Sequence, residues 1–305
     1  MSKHVAVLMG GWSAEREVSL VSGGAVADSL EAAGHQATRI DVSPDLGTLY
    51  AALNPRPDLV FNVLHGRFGE DGCIQGVLEI LGIPYTHSGV LASALAMDKP
   101  TAKRLFAAVG IPCPEGQVMH REDVLKGGFM DPPYVVKPLN EGSSVGVHIV
   151  HDQQTNSYLN HDWPYGDQVL VEIYIPGREI HVAVMGDEAL GAIEIQPHDG
   201  FYDYEAKYTE GKADHVMPAP LEMDDYQEAL RLGLLAHQTL GCRGVSRTDL
   251  RFDDTGKAPG QFYVLETNTQ PGMTPLSLVP EIAAHRGIEF DELVTWIMED
   301  ASCPR

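Results

Sequence analysis

The chain has 305 residues, 44% of them hydrophobic, and 21 Lys+Arg against 43 Asp+Glu give it a formal charge of −22. That length accommodates roughly two or three compact units of ~100–150 residues, with enough apolar content for ordinary cores. So acidic a chain excludes nucleic acid and anionic membrane as partners, because phosphate binding needs basic patches; a nucleotide site would have to carry its own cations or metal.

Residues 5–9 read as a buried strand ending at Gly10-Gly11. Val18, Val21, Ala25 and Leu30 trace a helical face that stops at Gly34, and a second strand ends near Asp41. Residues 59–64 form another buried strand, and 74–81 a helix closed by Gly82. Strands alternating with helices over residues 1–95 predict a parallel sheet. The G-x-G-x-x-G fingerprint is absent, so no NAD site is expected. A smaller α+β unit is predicted over 96–170, with a helix at 101–109 and strands at 134–137 and 145–150 around a Gly/Ser loop. Residues 171–305 carry antiparallel strands at 180–185, 190–195, 248–252 and 261–266, with helices at 224–240 and 290–299. Every apolar run is shorter than the ~18 residues of a membrane helix, and the first is too short for a signal-peptide core. A cytoplasmic protein is expected. Cys73, Cys113, Cys242 and Cys303 lie scattered without C-x-x-C spacing and read as thiols rather than as a disulfide or zinc set.

The strongest local signal is Arg247-x-Asp249 followed, across a turn-rich stretch, by Glu266-Thr267-Asn268. Side chains at i and i+2 of a strand share a face. A hairpin over 253–260 that sets Phe252 opposite Gln261 and Arg247 opposite Glu266 puts all four polar groups on one face. Two carboxylates and an amide oxygen suit Mg²⁺ with phosphate oxygens completing its shell, and an arginine beside them can hold charge developing on oxygen. A solvated hairpin face with surface ion pairs is the plain alternative.

Lys137 ends a strand and precedes Glu141-Gly142-Ser143-Ser144-Val145-Gly146, a loop able to wrap phosphates with backbone N–H groups, or else a simple hairpin turn. The stretch from Val169 through Glu172, Ile173 and Ile175 to Glu179 could sandwich an adenine and offer Glu179 to ribose hydroxyls; it also reads as a buried connecting strand. Lys99 is a possible phosphate cation or a solvated lysine, and His65 a core histidine in a turn. Glu15 opens a helix, where a carboxylate favours the dipole in any case. Tyr-Asp-Tyr-Glu-Ala-Lys-Tyr at 202–208 suits a mobile lid or a structured loop.

Taken in order, Gly10-Gly11-x-Ser13-Ala14-Glu15-Arg16-Glu17-Val18-Ser19, His65-Gly66-x-x-Gly69-Glu70-Asp71-Gly72, Met97-Asp98-Lys99, Val136-Lys137-Pro138 with the 141–146 loop, Phe201 to Tyr208, and Glu266-x-Asn268-Thr269-x-Pro271-Gly272-Met273-Thr274 with Ser277-Leu278-Val279-Pro280 closely resemble the D-alanine–D-alanine ligase family of the ATP-grasp superfamily. The resemblance implies an α/β (α+β overall) ATP-grasp fold: a Rossmann-like N-terminal domain at 1–95, and two α+β subdomains at 96–170 and 171–305 that clasp ATP. It implies ADP-forming ligation of two D-alanine molecules through a D-alanyl phosphate for peptidoglycan precursors, with a D-alanine–D-lactate or other D-alanine–acceptor ligase as the alternative. Lys99 and Lys137, with the Ser143–Ser144 loop, would hold phosphates, Glu172, Ile173, Ile175 and Glu179 would hold adenosine, and Lys207 would also bind ATP. Asp249, Glu266 and Asn268 would bind two Mg²⁺ ions, for which Mn²⁺ could substitute. Glu15, assisted by Ser143 and Tyr208, would take the first D-alanine's ammonium. His65 would lie in the substrate pocket, Arg247 and the Gly272 N–H would form the oxyanion site, and Ser277 and Leu278 would hold the second carboxylate. A homodimer is expected. Ile173 stands where many relatives carry Lys or Arg, and Pro275-Leu276 where some carry Ser-His.

Overall fold

The computed structural model describes residues 1–151, 159, 163–198, 211–256 and 259–305. The chain opens with β1 (His4–Gly10), α1 (Arg16–Ala32), β2 (Gln36–Val42), α2 (Leu46–Ala52), β3 (Leu59–Asn62) and α3 (Cys73–Leu81). The strands pair in parallel in the order β2-β1-β3. Parallel strands need helical crossovers, which cover both sheet faces. Accordingly Val5 and Val7 turn toward Val26 and Leu30 of α1, while Ala6 and Leu8 turn toward Leu49 of α2 and Leu78 of α3. Helix α1 lies tight on the sheet because Gly23 carries no side chain; a Cβ there would sit 2.5 Å from that of Met9.

Helices α4 (Val90–Met97) and α5 (Lys99–Ala108) follow, then β4 (Gly116–His120), α6 (Arg121–Lys126), β5 (Tyr134–Lys137), β6 (His148–Val150) and β7 (Gln168–Ile173). The four strands form an antiparallel sheet in the order β4-β7-β5-β6. The last part contains β8 (Arg178–Met185), β9 (Glu188–Pro197), β10 (Ala213–Val216), α7 (Met223–Leu240), β11 (Val245–Asp253), β12 (Gln261–Asn268), α8 (Leu278–His285) and α9 (Phe290–Glu299). Its strands make a five-stranded antiparallel sheet, β10-β9-β8-β11-β12.

Alternation along β8 divides two cores. Val182 and Val184 pack with Leu232 and Leu240 of α7 and with Ala102 and Phe106 of α5. Ala183 joins a core built from α8, α9, α1 and strands β1 and β3. The first and last parts of the chain therefore share one apolar core, which fixes the loops after β1 and β3 above the end of β12. Strand β7 runs across the expected boundary at 170 and pairs within the four-stranded sheet, whereas α5, from the expected central unit, packs on the five-stranded sheet.

Two sequence expectations need correction. The strand expected over 145–150 is shortened to β6, because Ser143, Ser144 and Gly146 take positive φ (49°, 58° and 70°) and turn the backbone. The β11–β12 register also differs: Phe252 faces Phe262, Asp249 faces Glu266 and Arg247 faces Asn268. A bulge lies between Asp249 and Leu250, where Leu265 of β12 is the extra residue. The outer pairs are thus one residue out of the expected register, and the bulge adds another. Asp249 with Glu266, and Arg247 with Asn268, nevertheless face each other directly, so the shared polar face survives.

Candidate active site

Three connected hollows lie between the sheets. The first, about 720 Å³, is walled by Val135, Lys137, Ser144, Val147 and Ile149 on the four-stranded sheet and by Arg251, Leu265 and Glu266 on the other. The β7 end supplies Glu172, Ile173, Tyr174 and Ile175. The bulge turns Leu265 into this cleft beside Glu266. Ile173 lines the cleft, but its backbone N–H is already given to the Glu115 carbonyl at 2.9 Å.

Cations concentrate here. Asp98 caps α5, accepting from Thr101 N at 3.0 Å, so Lys99 starts the first turn. Its ammonium meets Glu266 at 2.9 Å and the Glu141 carbonyl at 2.5 Å. Burial works against the Lys99 charge, yet the Glu266 carboxylate holds its pKa above the ordinary lysine value. Lys137 pairs with Glu172 at 2.5 Å, and Lys103 binds the other oxygen of Glu172. Burial opposes ionisation of Glu172, but these two ammonium groups outweigh it and hold the carboxyl below its usual range.

A second hollow of about 600 Å³ gathers Glu15, His65, Glu70, Ser143, His181, Arg247, Asn268, Gln270, Gly272, Ser277 and Leu278. Glu15 accepts a hydrogen bond from Ser143 Oγ, which ties the loop after β1 to the loop after β5. The left-handed turn at Ser143 and Ser144, uncommon without glycine, sends Ser143 to this pocket and Ser144 to the cleft. Gly142 leaves the room they need; a Cβ there would lie 2.7 Å from Glu15 Oε2. At the far wall, Ser277 Oγ accepts from Thr274 N at 2.9 Å, beside Gly272. Burial lowers the His65 pKa, and among the described residues its Nε2 has no hydrogen-bond partner. Glu70, Glu141, Gly142, Lys99, Glu266 and Asn268 line a third hollow that joins the pocket to the cleft.

Arg247 donates Nε and Nη2 to the two oxygens of Asp249 at 2.7 and 2.8 Å. His181 bonds Asp249 at 2.7 Å through Nδ1 and Glu179 at 3.2 Å through Nε2. Burial alone would neutralise Asp249; Arg247 and His181 instead hold its acid well below the usual range. Asn268 Nδ2 reaches Asp249 at 3.2 Å. Asp249, Glu266 and Asn268 thus share one face, and carboxylate and amide oxygens are the donor types that suit a divalent cation. Arg247 and His181 are among the partners of Asp249, and Lys99 among those of Glu266, charges that a metal would share or displace.

Glu179 accepts from Arg251 at 3.5 Å. Tyr208 and Lys207, with the expected lid, lie outside the described residues. Glu179 lines none of the hollows and stands behind the cleft wall, bonded to His181 and Arg251; the other sequence-chosen residues meet in the two larger hollows and the ribbon between them. Sequence reasoning missed Lys103, Glu70, His181 and Gln270. Lys103 sits one helical turn from Lys99, and His181 two strand positions from Glu179, so periodicity held a signal for both. Glu70 is buried inside the His65 loop; burial, then the Glu15 charge, push its acid well above the usual carboxylate range. Gln270 accepts from Asn62 Nδ2 at 2.7 Å and donates to the Leu64 carbonyl, joining strand ends 206 residues apart in sequence.

Two antiparallel sheets gripping a lysine-lined cleft, with a carboxylate pocket closed by a parallel-sheet unit, define an ATP-grasp ligase fold. Family models for the D-ala D-ala ligase C-terminus and N-terminus match residues 105–299 and 46–88. A D-alanine–D-alanine ligase of Methylorubrum populi is 57% identical over the full length of both chains. The D-alanine–D-alanine ligase structure from Bacillus anthracis superposes with a TM-score of 0.84 at 32% identity, covering 98% of this chain and 97% of that one. The same enzyme complexed with ATP gives 0.82 at the same identity and coverage. The chain belongs to the D-alanine–D-alanine ligase family.

Proposed function

We propose that the chain joins two D-alanine molecules at the expense of ATP, releasing ADP and phosphate and supplying D-alanyl-D-alanine for peptidoglycan precursors. The observation that carries this reading is the junction of the two hollows: a lysine-lined cleft opens, past Glu266 and Asn268, into a pocket that holds Glu15, Ser143 and Arg247.

A carboxylate is a poor electrophile and must be activated before an amine can attack it. We assign Glu15, positioned by Ser143, to the ammonium of the first D-alanine, which turns its carboxylate toward the cleft. Lys99 and Lys137 hold the phosphates; Glu172, Ile173, Ile175 and Glu179 hold the nucleoside; and Ser144 backs the phosphate loop. A carboxylate oxygen attacks the γ-phosphorus, the bond to the ADP oxygen breaks, and a D-alanyl phosphate forms. Bound Mg²⁺ ions, two by the family pattern and replaceable by Mn²⁺, would be held by Asp249, Glu266 and Asn268 and would neutralise phosphate charge. The amine of the second D-alanine, its carboxylate held at Ser277 and Leu278 near His65, then attacks the carbonyl carbon. Arg247 and the Gly272 N–H stabilise the tetrahedral oxyanion, and phosphate departs with the original carboxylate oxygen and takes up the proton that the amine sheds. Tyr208 and Lys207 complete the roles assigned to the first D-alanine and the phosphates. Exclusion of water from the pocket protects the acyl phosphate.

We place the enzyme in the cytoplasm as a homodimer; no helix among the described residues is long and apolar enough to cross a membrane. The test is a coupled assay for ADP release with D-alanine, with L-alanine as control and the dipeptide product identified by mass. Turnover with D-alanine alone supports the reading. Turnover only when D-lactate is added would replace it with the depsipeptide-forming alternative.

A further inference from the structure

One part-buried cation has no part in that scheme. Lys103 lies on α5 a turn beyond Lys99, between Ala102 and the fully buried Phe106. Its ammonium donates to the Pro114 carbonyl at 2.6 Å and to one oxygen of Glu172, while Lys137 takes the other oxygen at 2.5 Å. Glu172 and Lys137 line the nucleotide cleft, but Lys103 does not. The arrangement is therefore a carboxylate, 2% exposed, with one ammonium on the cleft side and one behind.

A nucleotide entering the cleft brings phosphate oxygens that compete with Glu172 for Lys137. If Lys137 were the only cation on Glu172, surrendering it would strand a charge in a dry environment, and removal of one partner from a buried pair is strongly unfavourable. A second ammonium, set outside the cleft, removes that obstacle. The Glu172 oxygen released by Lys137 is then an ionised acceptor facing the cleft, suited to the 6-amino group of adenine. We propose that Lys103 is a positioning residue, a standing counter-ion that frees Lys137 for the phosphates and keeps Glu172 available as the adenine acceptor. The inference rests on the assignment of this cleft to ATP.

The test compares wild type, K103M and K103R by KM for ATP, kcat, KM for D-alanine and the preference for ATP over inosine triphosphate, which lacks the 6-amino group. In K103M the ATP KM should rise about tenfold or more and the ATP preference should fall toward one, the effect of losing a charge-assisted hydrogen bond. Turnover and the D-alanine KM should change by less than about threefold, and K103R should recover most of the loss. An unchanged ATP KM and base preference in K103M would overturn the inference, as would a K103R enzyme as impaired as K103M. Should K103M alone fail to fold, the double variant K103M/E172Q decides: without a carboxylate to neutralise, it should fold and match E172Q in base preference. A double variant that also fails to fold assigns Lys103 to packing and overturns the proposal. Wild type that shows no ADP release with D-alanine defeats the ligase reading itself, whereas normal wild-type turnover beside an unaltered K103M defeats only this inference.

Discussion

Replacing Arg247 with alanine separates two roles that meet in one side chain. Its guanidinium makes two hydrogen bonds, at 2.7 and 2.8 Å, to a carboxylate that is 4% exposed. Stripping one partner from a buried ion pair costs about 3–5 kcal/mol. His181 still faces Asp249 at 2.7 Å, so the lower part of that range, about 3 kcal/mol, is expected in urea unfolding. Arg247 lowers the Asp249 pKa, so its stabilisation is complete above the ordinary aspartate value of 3.8 and disappears as pH falls through the lower folded value. Without Arg247 that folded value climbs back, and acid unfolding should begin at a higher pH. Turnover should fall about 100- to 1000-fold through loss of an oxyanion donor, while ATP affinity, set in the other hollow, changes little. R247K, which keeps the charge but not the two-pronged geometry, should be intermediate. Wild-type turnover in R247A would refute the oxyanion assignment. Unchanged urea and acid stability would refute the reading of Asp249 as a buried, cation-dependent carboxylate.

Other outcomes are equally checkable. In G272A the new Cβ would lie 2.8 Å from Ser277 Oγ, so the KM for D-alanine should rise at least about tenfold, consistent with a displaced polar contact, with the ATP KM unaffected. G142A, whose Cβ would crowd Glu15 at 2.7 Å, should likewise raise the D-alanine KM; steady-state kinetics with D-alanine as the varied substrate check both. The raised pKa of Glu70 means that the folded protein keeps a proton the unfolded chain releases. That stabilising contribution is complete below the ordinary glutamate value of 4.5 and is lost as pH rises through the folded value. E70Q should therefore gain melting temperature relative to wild type as pH rises above about 5, and parallel curves across pH would contradict a buried protonated Glu70.

The sequence made the strand–helix alternation and the site's polar pairs legible because both depend on local periodicity. The parallel sheet followed from the apolar runs of β1 and β3, and Arg247, Asp249, Glu266 and Asn268 shared a face because i and i+2 do so wherever the strand lies. Register was not legible: no residue in the 253–260 turn announces the bulge at Leu265, and the correct face emerged although the pairing was displaced. Short elements such as α4, with the nearly uniform apolar run Val-Leu-Ala-Ser-Ala-Leu-Ala-Met, carry no period to read. Long-range partnerships were hidden for a different reason. Nothing near Lys103 in sequence names Glu172, 69 residues away, or near Asn62 names Gln270, 208 residues away; only the packing of α5 and the shared core of the first and last parts bring them together.

In the proposed reaction the first substrate's carboxylate attacks the terminal phosphate of ATP in the space between Glu15, Lys99 and Arg247. Oxygen transfer from substrate to phosphate is the signature of that attack. With D-alanine labelled with ¹⁸O in its carboxyl group, mass analysis of the inorganic phosphate should find one labelled oxygen for each dipeptide formed. Phosphate free of label, with dipeptide still produced, would contradict an acyl phosphate and with it the division of labour assigned to the two hollows.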